Sequence, residues 1–191
     1  MEMSELATVP AESTGAIAKP RPGIIGVLLG VVAVAIAAQI MVPIPGSVVP
    51  ATLQGLAVLV VGGVLGPAGG LMALMVYLAA GAAGLPVFAP IGLPGVSRLL
   101  GPTSGYLLAF PVAAMVTGAI ARRNSFLRCL LACLIGMVII HLGGIAMLSI
   151  MSGGLTIPLK ATLPLVLADM IKVVLAAVVI THLRSHPSFA R

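Results

Sequence analysis

Two side chains of opposite charge lie close together in an apolar run near the end of this sequence. Asp169 and Lys172 are three residues apart, so on a helix they share one face and are separated by about 4.5 Å of rise. A charge inside a membrane helix costs about 2.5 to 3.5 kcal/mol or more, and therefore calls for a partner or a function. The two residues could form an ion pair that only fixes the helix. Pairs held for stability alone are often no better than apolar packing, so we predict that Asp169 and Lys172 bind a ligand.

Other polar side chains could complete such a site. Arg98 lies between Pro and Gly residues, which predicts an outer loop, although a lone arginine there could simply be solvated. Thr52, Gln54, Tyr77 and Tyr106 fall on predicted helices or at their starts. Each has a hydrogen-bonding tip on a mostly apolar run, and each alone could be an interfacial anchor or a helix cap.

Catalytic and metal-binding patterns are missing from the sequence. It contains no HExxH, GxSxG or Walker motif, so we predict no catalytic residue, no metal site and no cofactor. Cys129 and Cys133 are four residues apart and are interpreted as small hydrophobic residues on one helix face. His141 lies inside an apolar run with no acid near it in the sequence, which favours a hydrogen-bonded packing role over a proton relay.

The composition predicts that lipid surrounds these residues. Hydrophobic residues make up 60% of the chain and charged residues only 7%, which is far more apolar than a soluble domain. The net charge of +6 comes from scattered Lys and Arg residues, without an RNA-recognition signature. We therefore expect membrane lipid, and no nucleic acid, as a partner.

Six apolar runs are separated by Pro and Gly clusters, and they predict an all-α integral membrane protein with a bundle of six transmembrane helices. The second and third runs are short, so these helices are expected to be tilted or buried. The runs are Ile24 to Val42, Leu53 to Leu65, Ala68 to Ala83, Thr103 to Ala121, Leu127 to Ile150 and Ala161 to Leu183.

Charge asymmetry predicts that both termini are cytoplasmic. Seven Lys and Arg residues precede the first run, join the fourth to the fifth or follow the sixth, whereas Arg98 and Lys160 fall in the opposite loops. The first run is interpreted as a mature helix, since it is too long for a signal peptide and its flank carries three acids. The predicted parts are a polar, disordered segment at 1–22, a six-helix membrane domain at 23–184 and a cytoplasmic tail at 185–191.

The start of the last helix determines how deep the charged pair lies. If Pro164 begins the helix, Asp169 lies about 8 Å below its outer end, and if Ala161 begins it, about 12 Å. In both cases we expect a modest cavity to reach the pair from outside.

Small residues repeat at four-residue spacing along the first run. Gly26 and Gly30, then Ala33 and Ala37, would let another helix approach closely. That helix could belong to this chain or to a partner subunit.

Several short motifs occur in a fixed order and resemble the BioY biotin-transport family from about residue 24 to 183. Ser104 stands where that family commonly has a second glycine. The matching motifs are Pro43-Ile-Pro-Gly-Ser47, Pro50, Thr52, Gln54, Leu65-Gly-Pro67, Tyr77-Leu78, Gly84-Leu-Pro-Val-Phe88, Gly101-Pro-Thr103, Gly105-Tyr106 and Asp169-Met-Ile-Lys172.

The resemblance implies a substrate-capture (S) component of an energy-coupling-factor transporter in a bacterial cell membrane. Such a component binds biotin near the outer face and works with a transmembrane coupling (T) subunit and two cytoplasmic ATPases, although some members are reported to act alone. Asp169 and Lys172 match the family's biotin site. Ala33 and Ala37 match an alanine motif that contacts the coupling subunit.

The chemistry of biotin agrees with these residues. Its ureido ring offers N–H donors and a carbonyl acceptor, which suit Asp169 and Lys172. Its apolar body suits Tyr77 and Phe88, and its carboxylate suits Arg98. The alternatives are an S component for another small vitamin and, less in keeping with the motifs, an intramembrane enzyme that uses Asp169 as an acid or base.

Overall fold

A computed structural model describes residues 23–42, 49–122 and 125–185. The predicted N-terminal segment 1–22 and nearly all of the predicted tail 185–191 lie outside the described residues. The described chain is mostly helical, which confirms the all-α prediction, and two short strands pair antiparallel near one end. Its elements are α1 (Ile24–Gln39), β1 (Met41–Val42), β2 (Ala51–Thr52), α2 (Gln54–Ala82), a 3-10 helix (Gly95–Leu100), α3 (Ser104–Ile120), α4 (Phe126–Ser152) and α5 (Thr156–Ser185).

These helices have lengths and an apolar composition that suit a membrane. Helices α4 and α5 are long and apolar enough to cross one, and so is α2 by its total length and composition, whereas α1 and α3 are shorter but also apolar. Large apolar side chains such as Leu29 and Leu163 are exposed on the outside of the bundle. Lipid tolerates such a surface, whereas water does not.

Helix α2 contains a sharp turn and corresponds to both the second and the third apolar run. Gly66 has φ 76° and ψ −179°, which is not helical, and Pro67 follows it. A Cβ built on Gly70 would lie 2.8 Å from Gly62 Cα, although residues eight apart in a straight helix are separated by about 12 Å. The chain therefore folds back at Gly66, and α2 has two antiparallel arms, residues 54–65 and 67–82.

The turn of α2 packs directly against the end of α3. A Cβ on Gly62 would lie 2.3 Å from the Ala114 carbonyl oxygen, and one on Gly118 would lie 2.5 Å from the Gly62 carbonyl oxygen. Only glycine allows the backbones to approach this closely. Arg184 donates a hydrogen bond to the Ala121 carbonyl and so joins the end of α5 to the same region. We call this region, where α3 and α5 end, the packed end.

The opposite region of the bundle is irregular, and we call it the cavity end. The strands, the loop at residues 83–94 and the 3-10 helix meet there with the first turn of α3. Several polar side chains are buried in this region, among them Gln54, Arg98 and Asp169. The cavity end therefore holds the groups that could bind a ligand.

Helix α5 begins at Thr156, so the helix starts expected at Ala161 and Pro164 are both wrong. Pro158 lies in the first turn, where its missing N–H needs no partner. Pro164 lies inside the helix, which membrane helices tolerate when their neighbours satisfy the backbone. Asp169 consequently lies about 20 Å along the helix from its first residue, deeper than either sequence-based estimate.

Candidate ligand-binding site

An open cavity at the cavity end contains about 620 Å³ of empty space, part of it continuous with solvent. Residues from β2, α2, the 3-10 helix, α3, α4 and α5 line it. Its apolar wall includes Leu107, Phe110 and Leu165. The cavity therefore combines apolar surface with a few polar groups, as small-molecule sites generally do.

A cluster of three ionisable side chains lies in this cavity. Lys172 Nζ donates a hydrogen bond of 2.6 Å to Asp169 Oδ1. His141 Nε2, from α4, lies 3.0 Å from Asp169 Oδ2. Asp169 and Lys172 are only 7% and 9% exposed, so their charges are largely removed from water and compensate each other.

His141 is a member of the cluster that the sequence did not reveal. Its acid partner lies on another helix, so spacing along the chain gave no indication of the contact. The signal that could have found it was the position of an ionisable side chain inside an apolar run. Neither ring nitrogen makes an aligned hydrogen bond with another described residue, even though both are buried.

Arg98 also lines the cavity, but it is buried rather than solvated. Its side chain is 7% exposed, and its Nη1 donates to the Ile91 carbonyl. Gly92, with φ 122°, makes room for it, because an added Cβ would overlap the guanidinium. Burial lowers the pKa of Arg98 from its ordinary value, yet a guanidinium stays protonated at neutral pH. Its Nε has no hydrogen-bond partner among the described residues.

Three more of the predicted site residues, Thr52, Gln54 and Tyr106, line the cavity. The Tyr106 hydroxyl shares a hydrogen bond of 2.8 Å with Thr162 Oγ1 on α5. The Tyr106 ring lies against Gly144 of α4, where a Cβ would come within 2.1 Å of it. These contacts fix the aromatic wall beside His141.

Tyr77 and Phe88 lie behind the cavity wall and are not among the residues that line it. Tyr77 is fully buried, and its ring meets that of Phe88 edge to face with centroids 5.5 Å apart. Phe88 covers Gly81 of α2. The structure therefore brings together Thr52, Gln54, Arg98, Tyr106, Asp169 and Lys172 of the predicted site, and places Tyr77 and Phe88 in a second layer.

The small residues of α1 divide into two groups. Gly30 faces α2, where an added Cβ would lie 3.1 Å from Val61, so this part of the repeat serves packing within the chain. Ala33 is exposed, and Ala37 is half-buried against the core. Ala33 is therefore available to another surface.

Comparison with known proteins agrees with these features. The model of the BioY family matches residues 12–188. The chain is 34% identical over 160 residues to the probable biotin transporter BioY of Pyrococcus horikoshii, covering 84% of this chain and 94% of that protein. It is 36% identical over 145 residues to the biotin transporter BioY of Thermotoga maritima, covering 75% and 85%.

A solved structure has the same fold. The crystal structure of the S-component for biotin from an ECF-type ABC transporter superposes with a TM-score of 0.78 at 27% identity. The alignment covers 86% of this chain and 91% of that one. From the extent of these matches, this chain belongs to the BioY family.

Proposed function

We propose that this chain is the biotin-binding membrane subunit, the S component, of an ECF-type ABC transporter, and that it serves biotin uptake. The observation that carries the proposal is the buried Asp169–Lys172 pair, which lies in a cavity with an apolar wall in a member of the BioY family. Removing two charges from water is costly. Binding of a ligand that has both hydrogen-bond donors and an acceptor would explain why the protein contains this costly pair.

The cavity suggests one orientation for biotin. The ureido N–H groups would donate to Asp169, and the ureido carbonyl would accept from Lys172 or His141. The thiophane ring and the valerate chain would lie against the apolar wall. The carboxylate would pair with Arg98, whose guanidinium lines the same cavity and has an unpartnered Nε among the described residues.

The proposed membrane arrangement is six spans with both termini in the cytoplasm of a bacterial cell. The fold-back of α2 supports it, since the two arms of α2 and the other α-helices, α1, α3, α4 and α5, make six helical segments in the described part of the chain. This arrangement puts the cavity end outside, where biotin arrives, and most Lys and Arg residues inside. Its proposed partners are the T subunit, the cytoplasmic ATPases and membrane lipid.

Titration calorimetry of the detergent-purified chain tests the ligand. We expect biotin and desthiobiotin, which share the ureido ring, to bind with one site per chain, and thiamine and riboflavin not to bind. Binding of another vitamin in place of biotin would favour an S component of different specificity. Turnover of a bound ligand by the purified chain would favour the enzyme alternative, for which the His141–Asp169 contact supplies an acid and a base.

A further inference from the structure

A chain of hydrogen bonds runs from the cavity wall to the loop at residues 83–94. The Thr52 hydroxyl lies 3.2 Å from Gln54 Oε1, and Gln54 Nε2 lies 2.6 Å from the Tyr77 hydroxyl. The Tyr77 hydroxyl lies 3.0 Å from the Val87 carbonyl oxygen. Thr52 and Gln54 line the cavity, whereas Tyr77 is fully buried behind it.

The direction of every bond in this chain follows from its last member. A carbonyl oxygen only accepts, so the Tyr77 hydroxyl donates to Val87. With its one proton used there, the Tyr77 oxygen has to accept from Gln54, and the Gln54 NH₂ group faces Tyr77. The Gln54 carbonyl oxygen then faces Thr52, whose hydroxyl donates to it and accepts from the Gln54 backbone N–H.

We infer that Tyr77 is a positioning residue, which fixes the orientation of the Gln54 amide and thereby the donor and acceptor that this amide presents to the ligand. The inference rests on the proposed function, because biotin is the ligand to whose polar groups the Gln54 amide would form hydrogen bonds. An amide has nearly the same shape in its two orientations, so packing alone does not choose between them. The hydrogen bond to the Tyr77 hydroxyl selects one orientation of the amide, although Tyr77 itself does not contact the ligand.

Tyr77→Phe keeps the ring and removes only the hydroxyl. The Gln54 amide then becomes free to turn over, because the Thr52 hydroxyl can accept from an N–H as well as donate to an oxygen. A mispaired amide costs roughly one hydrogen bond, so we expect biotin affinity to fall about tenfold.

A double-mutant cycle with Gln54→Leu separates positioning from structural support. If Tyr77 acts through the Gln54 amide, Tyr77→Phe should change biotin affinity by less than about twofold in the Gln54→Leu background. Tyr106→Phe is the matched control, since its hydroxyl bonds Thr162 instead of Gln54. It should have the same effect in both backgrounds.

Equal loss of affinity in both backgrounds would mean that Tyr77 acts through Val87 and the loop, and would overturn the inference. Parental affinity in the Tyr77→Phe variant would overturn it too. A parent chain that does not bind biotin would instead overturn the proposed function. Side-chain amide NMR of the ligand-free protein then tests the positioning alone, with one pair of Gln54 NH₂ peaks expected in the parent and a second pair, or broadened peaks, in Tyr77→Phe. An unchanged pair of peaks would contradict the inference.

Discussion

The packed end and the cavity end differ in what separates their helices. At the packed end, Gly62, Gly70 and Gly118 bring backbones into direct contact. At the cavity end, buried polar and charged side chains such as Arg98 and Asp169 surround open space.

This difference assigns separate tasks to the two ends. Close backbone contact in a membrane gains dispersion energy, so the packed end can hold the helices together. The cavity end pays for buried charge and unfilled volume, which reduces stability unless a ligand occupies it. Substitutions at the two ends should therefore affect different measurements.

Gly62→Ala should have the largest effect on the fold. Its new Cβ would meet the Ala114 carbonyl oxygen at 2.3 Å, and backbone cannot give way as a flexible side chain can. We expect the free energy of unfolding to fall by about 3 kcal/mol or more. Heating with a thiol-reactive dye should show this loss as a lower unfolding temperature, because Cys129 and Cys133 are fully buried until the chain unfolds.

Gly154→Ala is the control for that experiment. Gly154 lies in the connection before α5 and has open space around it, so its variant should unfold like the parent. Equal unfolding temperatures for Gly62→Ala and the parent would show that the packed end is not tightly fitted.

Asp169→Asn should greatly weaken biotin binding while the chain remains folded. The change takes away the charge that Lys172 and His141 face, together with the strongest acceptor for ureido N–H groups. We expect affinity to fall about a hundredfold or more. Calorimetry measures binding, and the thiol-dye assay checks the fold. A variant that binds biotin as the parent does would refute the role of Asp169.

Arg98→Ala should have an intermediate effect, about tenfold to a hundredfold on biotin affinity. Biotin methyl ester has no carboxylate, so it should lose little further affinity on the same substitution. Arg98 also holds the Ile91 carbonyl. If the acid and the ester respond equally, Arg98 supports the loop, and the carboxylate is read by another group.

Ala33→Trp should have the smallest effect on the chain itself, because Ala33 belongs to neither end's core and is exposed on α1. Biotin affinity should change less than about twofold, while co-purification with the T subunit should be lost. Val32→Trp, also exposed on α1, is the control for bulk alone. Ala37→Trp would also disturb packing within the chain, because Ala37 lies partly against the core. Retained co-purification of Ala33→Trp would place the partner on another face.

The sequence predicted those parts of the fold that depend on local composition. Lipid requires long apolar helices, so the helical runs were visible, and the spacing of Asp169 and Lys172 was enough to pair them. The sequence did not reveal contacts between helices. The His141–Asp169 approach, the burial of Arg98 and the second-layer position of Tyr77 all depend on how separate segments pack.

The fold-back of α2 has a consequence for how the protein is made. At 1.5 Å per residue its arms are about 18 Å and 24 Å long, and both are shorter than the roughly 30 Å of hydrocarbon in a bilayer. The turn has few backbone polar groups that need shielding from lipid, since Pro67 has no N–H and Gly118 packs against the turn. We therefore expect that neither arm is inserted into the membrane by itself. The two arms should leave the membrane insertion machinery together as a hairpin. In a nascent chain arrested after the first arm, that arm should therefore not be inserted.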